Sequence, residues 1–216
     1  MPSPQVALCM VSALDGNVVS PGLSIPSFST REDRHRLFEL RARSDLLISG
    51  AGTLRREELQ PLVRCEKWTK WRTEKGLGPH PDVLIISGSG NVPLHSPYFS
   101  CEQTFHIVSH NHSSKTLPEY IHWHQVSWPI DLRGILQQFR KKGYEKMLLE
   151  GGPRLANTFF QDNLIDDIYL TLSAVVFGGC GEKGISFGEL LPIPLNFQIA
   201  DVKHNERDVF IHCVRA

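Results

Sequence analysis

Asp45-Leu46-Leu47-Ile48-Ser49-Gly50-Ala51-Gly52-Thr53 is the stretch from which the fold is read: a short apolar run closed by glycines. A run of that length bounded by turn residues is a buried strand, and the residues after its glycines open a helix. Upstream, residues 30–43 fit another helix. Thr30 followed by Asp33 has the spacing of a capping interaction. Leu37, Phe38, Leu40 and Ala42 give this helix an apolar side, with Arg31, Arg34, Arg41 and Arg43 expected in solvent. Residues 5–11 read as a buried strand, turned at Asp15-Gly16. Strand, helix and strand therefore alternate from the start.

The arrangement returns at Lys146-Met147-Leu148-Leu149-Glu150, where Gly151-Gly152-Pro153 turns a strand into a helix beginning near Arg154. Proline suits a first helical turn because its missing N–H has no partner to lose there. Between the two arrangements, residues 83–86, 104–108 and 121–126 read as strands, and residues 66–73 as a short helix. Asp131 caps a helix running through Lys142, in which Leu132, Ile135, Leu136 and Phe139 recur at helical spacing and Gly143 ends the run. The tail alternates and finishes in a strand over 209–214. The expected class is α/β, with βαβ units in the body and antiparallel strands at the end. One domain over residues 1–216 is expected.

Lys+Arg and Asp+Glu are both 23, which gives no basic bias for binding a phosphate backbone, so no nucleic-acid partner is expected. No run approaches the roughly 20 apolar residues that span a bilayer, so no membrane partner is expected either. The 5 cysteines are odd in number and lack a C-x-x-C pair, which argues for a reducing, cytoplasmic setting. Cys9 and Cys213 lie in apolar segments and read as core thiols.

A strand, glycines and a helix in succession suit anion binding, because a phosphate can approach the backbone and meet the positive end of the helix. Gly50, Gly52 and Thr53 form one such turn, Gly151 and Gly152 another. Ser87-Gly88-Ser89-Gly90 is a third candidate. The Rossmann fingerprint is incomplete, since Arg55 stands where its third glycine would fall. Asp15, Glu57 and Glu150 are the carboxylates available for chemistry or for orienting a heterocycle; turn capping and plain solvation are the bland readings of the first two. His110-Asn111-His112 and His122-Trp123-His124 place imidazoles two apart, on one face of a strand, but no Asp or Cys completes a ligand set, and no metal is expected.

In order, these segments resemble the reductase domain at the C-terminal end of bifunctional riboflavin-biosynthesis proteins, which also occurs as stand-alone pyrimidine reductases. Ala13-Leu14-Asp15-Gly16 resembles that family's S-L-D-G turn. Leu40-Arg41-Ala42 with Asp45, then Gly50-Ala51-Gly52-Thr53-Leu54-Arg55, resembles L-R-A-x-x-D and G-A-G-T-V-R; Glu57, Pro61 and Leu62 continue it. Leu149-Glu150-Gly151-Gly152-Pro153-Arg154-Leu155 resembles L-x-E-G-G-P-x-L, and Asp166-Asp167 with Leu172-Ser173 through Gly178 resembles the closing motifs.

The resemblance implies a dihydrofolate-reductase-like mixed, mostly parallel sheet flanked by helices, with NADPH as hydride donor and a homodimer. The implied reaction reduces the ribosyl group of a 5-phosphoribosylamino-pyrimidine, a small-molecule pyrimidine ribosyl phosphate, to ribityl. It implies cofactor contacts at Gly50, Gly52, Thr53, Leu54, Ser87, Gly151, Gly152 and Leu155, and substrate-facing or catalytic roles for Glu150, Glu57 and Asp15. Four departures bear on substrate: Ala13 for Ser, Cys9 for a Lys, Ala174 for Pro, and Arg56-Glu57-Glu58-Leu59 for A-D-D-P. They leave open a same-fold NADPH reductase acting on a pterin or other small substrate, or a catalytically silent nucleotide-binding homologue.

Overall fold

The computed structural model describes residues 3–18, 29–56, 60–99, 103–111, 116–179 and 184–216. In chain order the elements are β1 (Gln5–Ala13), α1 (Arg31–Arg43), β2 (Leu46–Gly50), α2 (Ala51–Arg56), α3 (Glu66–Glu74), β3 (Asp82–Ser87), β4 (Phe105–Ser109), β5 (Ile121–Gln125), α4 (Leu132–Lys141), β6 (Lys146–Leu149), α5 (Pro153–Gln161), β7 (Asp167–Ser173), β8 (Phe197–His204) and β9 (Asp208–Arg215). They form two compact units, one built on Phe38–Leu148, the other on Gln5–Leu37 with Leu149–Ala216. Strand pairing is mostly parallel, with the antiparallel pairs in the tail.

In the first unit the strands run in the order β5-β4-β3-β2-β6. Pairing is parallel from β2 to β5. Leu46, Leu47 and Ile48 of β2, Val83 to Ile86 of β3 and Phe105, Ile107 and Val108 of β4 are buried. Such near-continuous apolar runs, broken in β4 by His106, are what a parallel sheet covered on both faces requires. Leu132, Ile135, Leu136 and Phe139 form the buried stripe of α4. Asp131 accepts the amide of Gly134 at 2.9 Å as the helix cap, and Gly143 stands at φ +102° just beyond the last turn.

Polar clamps hold the turns of this unit. Arg41, expected in solvent, is buried; its Nη1 donates to the carbonyl of Leu62 at 2.9 Å. A helix face cannot reveal this, because the acceptor is an irregular segment some twenty residues on. Arg72 is buried too, donating to the carbonyls of Ala42, Ser44 and Gly78. Asp45 Oδ2 accepts the amides of Glu145 at 2.9 Å and Lys146 at 2.8 Å, which fixes the start of β6.

In the second unit the order is β1-β7-β9-β8, with β1 parallel to β7 and the other pairs antiparallel. Asp166 Oδ2 accepts the amide of Val6 at 2.8 Å, doing for β1 what Asp45 does for β6. The Thr30 hydroxyl accepts the amide of Asp33 at 3.2 Å, the capping contact expected at the start of α1. Cys9 and Cys213 are half-exposed rather than core thiols. The alternation of β9 leaves every residue after Asp208 half-covered, so apolar character there does not mean burial.

Candidate cofactor and active site

At the carboxyl ends of the parallel strands of the first unit, Gly50 pairs with Ile86, Ser87 with Ser109, and Ser109 with Gln125. Four strands therefore stop in step, and the outer end of a parallel sheet is where such folds receive ligands. After β2, Gly52 is exposed, and a Cβ there would meet nothing closer than the Arg55 guanidinium at 3.9 Å. A ligand can thus reach the backbone at this turn. α2 is only 6 residues long, so its dipole is modest. Thr53 is half-buried and Leu54 buried, leaving Leu54 only its backbone to offer a ligand.

The turn after β3 is built on its glycines. Ser87 is buried, and its Oγ accepts the amide of Gly90 at 3.1 Å. Gly90 has φ +73°, and a Cβ on it would fall 2.6 Å from the Asn111 carbonyl. Arg55 Nη1 donates to the carbonyl of Asn91 at 2.6 Å, linking the end of α2 to this turn.

In the second unit, Glu150 is half-buried at the end of β6 and Gly151 is buried. Gly151 adopts φ +119°, a region side chains avoid, and a Cβ would approach the Met10 sulfur at 3.4 Å. Gly152 is the N-cap of α5 with no side-chain cap, and Pro153 occupies its first turn. The first-turn amides of α5 thus receive no hydroxyl or carboxylate from the cap residue, the condition under which a helix end accepts an external anion. Leu155 is half-buried.

Asp15 is engaged with its own loop. Its carboxylate accepts the side-chain amide of Asn17 at 2.8 Å and the backbone amides of Phe177 at 3.2 Å and Gly178 at 2.7 Å. Three donors to one carboxylate make a structural clamp, close to the turn-capping reading of this residue. Glu57 lies outside the described residues.

Of the paired imidazoles, His122 and His124 join His106 in a cluster across two strands, while His110 is exposed just beyond β4. His122 and His124 stand on β5, and His106 lies buried on β4 beside them, its Nδ1 3.1 Å from His124 Nε2. His106 Nε2 lies 3.4 Å from the Tyr144 hydroxyl, which donates to Asp82 Oδ2 at 2.6 Å. Proton positions follow in turn. The Tyr144 proton is committed to Asp82, so its oxygen accepts from His106 Nε2–H, and His106 Nδ1 accepts from His124 Nε2–H. Burial, with His124, His122 and Lys142 against Asp82, lowers the pKa of His106 to about 4. Burial likewise lowers that of His124 and raises that of Tyr144. Among the described residues no group of three His, Cys, Asp or Glu side chains is placed to hold a metal ion. His112 is outside the described residues.

Comparison with known proteins adds a family. Residues 4–211 match the RibD C-terminal domain. A 2,5-diamino-6-ribosylamino-4(3H)-pyrimidinone 5′-phosphate reductase of Archaeoglobus fulgidus is 24% identical over 191 residues, covering 86% of this chain and 87% of that protein. The crystal structure of a diaminohydroxyphosphoribosylaminopyrimidine deaminase/5-amino-6-(5-phosphoribosylamino)uracil reductase of Thermotoga maritima superposes with a TM-score of 0.81 at 19% identity, over 99% of this chain. The chain spans 57% of that two-activity protein. A pyrimidine reductase-like protein of Corynebacterium diphtheriae also gives 0.81, at 14% identity, over 99% of this chain and 92% of its own.

Proposed function

The chain belongs to the RibD C-terminal domain family, and from that premise we propose that it is an NADPH-dependent pyrimidine reductase of riboflavin biosynthesis. It reduces the ribosyl group of a 5-phosphoribosylamino-pyrimidine to ribityl. The observation that carries this reading is the family match over residues 4–211, which runs through both compact units. We accordingly treat residues 1–216 as one reductase domain.

Each glycine turn, taken by itself, suits a phosphate. Gly52 leaves its backbone open, and the α5 terminus is uncapped by a side chain. Cofactor contacts are assigned to Gly50, Gly52, Thr53, Leu54 and Ser87 in the first unit and to Gly151, Gly152 and Leu155 in the second. NADPH, when bound, supplies a hydride to the carbon of an open-chain imine. The chain's own contribution is to bind, orient and exclude water. Glu150, at a strand end beside Gly151, is assigned to orient the pyrimidine or hold a proton toward it, and Glu57 to face the substrate. Asp15 acts by positioning, through the loop it ties to Gly178.

A homodimer is part of the reading. β8 ends the strand order of its unit, and Ile199 and Val202 on it are 68% and 51% exposed, apolar surface that a second copy would cover. Among the described residues no helix is long and apolar enough to cross a membrane. With Cys65 and Cys213 as free thiols, we place the protein in the reducing cytoplasm.

Thermal unfolding with each nucleotide tests the cofactor assignment. A ligand that binds only the folded chain raises the midpoint by mass action, so NADPH should raise it more than NADH at equal concentration. No shift with either at millimolar concentration would remove the cofactor and the reading with it.

A further inference from the structure

Trp128 is 63% exposed, an uncommon position for the largest apolar side chain. Its placement is nonetheless specific. One edge of the indole lies on Gly88, where a Cβ would stand 3.2 Å from the ring, so the absence of a side chain at 88 is what seats it. The turn beneath is braced on several sides: Ser87 Oγ holds the amide of Gly90, Asn111 Nδ2 donates to the Ser89 carbonyl at 3.2 Å, and Arg55 donates to that of Asn91. The segment leading to Trp128 is tied down as well. The amide of Val126 donates to the carbonyl of Ser109 at 2.9 Å, and His110 Nδ1 contacts the carbonyl of Val126 at 3.3 Å. A large ring is thus held by one edge over a glycine turn, at the carboxyl ends of β3, β4 and β5.

We propose that the indole of Trp128 is the stacking platform for the adenine ring of the nicotinamide dinucleotide. The inference rests on the cofactor reading above and assigns one half of the molecule to this corner of the first unit. Hydride transfer requires a site closed to water, and Trp128 stands open to it, which suits the half of the dinucleotide that does not react. Arg55 places a guanidinium against the same turn, the group that pairs best with a phosphate on the adenosine side. Every purine offers a flat π-face, so an indole can hold it without hydrogen bonds to the base.

Calorimetric titration of wild type, Trp128→Ala and Trp128→Phe separates the possibilities, with three ligands: NADPH, adenosine 2′,5′-bisphosphate and reduced nicotinamide mononucleotide. The alanine variant should bind both adenine-bearing ligands about tenfold or more weakly, in line with the usual worth of base–aromatic stacking. The phenylalanine variant should recover most of that loss, and the mononucleotide should bind all three proteins alike. Circular dichroism should show the same fold throughout, since the ring is mostly in solvent. Undiminished binding of the bisphosphate by Trp128→Ala, with wild type binding NADPH normally, would overturn the stacking assignment and leave the cofactor reading standing. Equal weakening of the mononucleotide would overturn it too, by placing the nicotinamide half at Trp128. Failure of wild type to bind any of the three would overturn both.

Discussion

The Asp15 carboxylate accepts the backbone amide of Gly178 at 2.7 Å, tying the turn that closes β1 to the loop that follows β7. With Asn17 and Phe177 donating as well, its main work is to hold that loop. Asp15→Ala should therefore lower folding stability by about 1–3 kcal/mol, the cost of leaving such donors unpaired. Urea unfolding measures this. A variant as stable as wild type but without turnover would make the carboxylate a chemical group instead.

Gly52 and Gly151 call for different experiments. A side chain at Gly151 meets both an unfavourable φ and the Met10 sulfur, so loss of binding in Gly151→Val would be confounded with strain. Gly52→Ala is the clean variant, because the space for a Cβ is open. Stability should hold or rise by up to about 1 kcal/mol, alanine being the better helix former, while NADPH affinity falls. Unchanged affinity would take the cofactor away from this turn.

Arg72 has its guanidinium among the carbonyls of Ala42, Ser44 and Gly78. Arg72→Met should cost about 3 kcal/mol or more, since three acceptors lose a charged donor at once. Arg72→Lys should recover only part, because an ammonium cannot reproduce the fork. A methionine variant unfolding at the wild-type urea midpoint would contradict the clamp.

Stability should also depend on pH through the imidazole network. The folded-state pKa of His106, about 4, lies below the ordinary 6.5. Between those values the unfolded chain binds a proton that the folded chain refuses. The contribution is thus complete above pH 6.5 and is lost as pH falls from there toward 4, with a slope of at most about 1.4 kcal/mol per pH unit. His106→Gln should flatten that part of the profile. An equally steep fall in the variant would place the titration elsewhere.

Sequence and structure agree best where one physical cause dominates. Burial on both faces made β2, β3 and β4 legible as apolar runs. The caps at Thr30 and Asp131 were legible because a cap acts over three residues. β7 and β8 did not stand out within the alternating tail: β8 is exposed along most of its length, so burial imposes little pattern on it. Distant partners were hidden altogether. Nothing near Arg41 announces the Leu62 carbonyl, and nothing near His106 announces Tyr144. The same holds for the motifs that carry the resemblance. Asp45 and Asp166, which belong to those motifs, each hold the backbone at the start of a strand. The glycine turns were recognisable, but their different characters were not: one is open at Gly52, the other closed over a positive φ at Gly151.

The most direct test of the central claim is turnover. Purified protein should oxidise NADPH when given 2,5-diamino-6-ribosylamino-4(3H)-pyrimidinone 5′-phosphate, or its deaminated uracil counterpart, and mass spectrometry should show a product two hydrogens heavier, with the ribose ring opened to ribityl. NADPH left unconsumed with both substrates, by protein whose melting point NADPH does raise, would contradict the account.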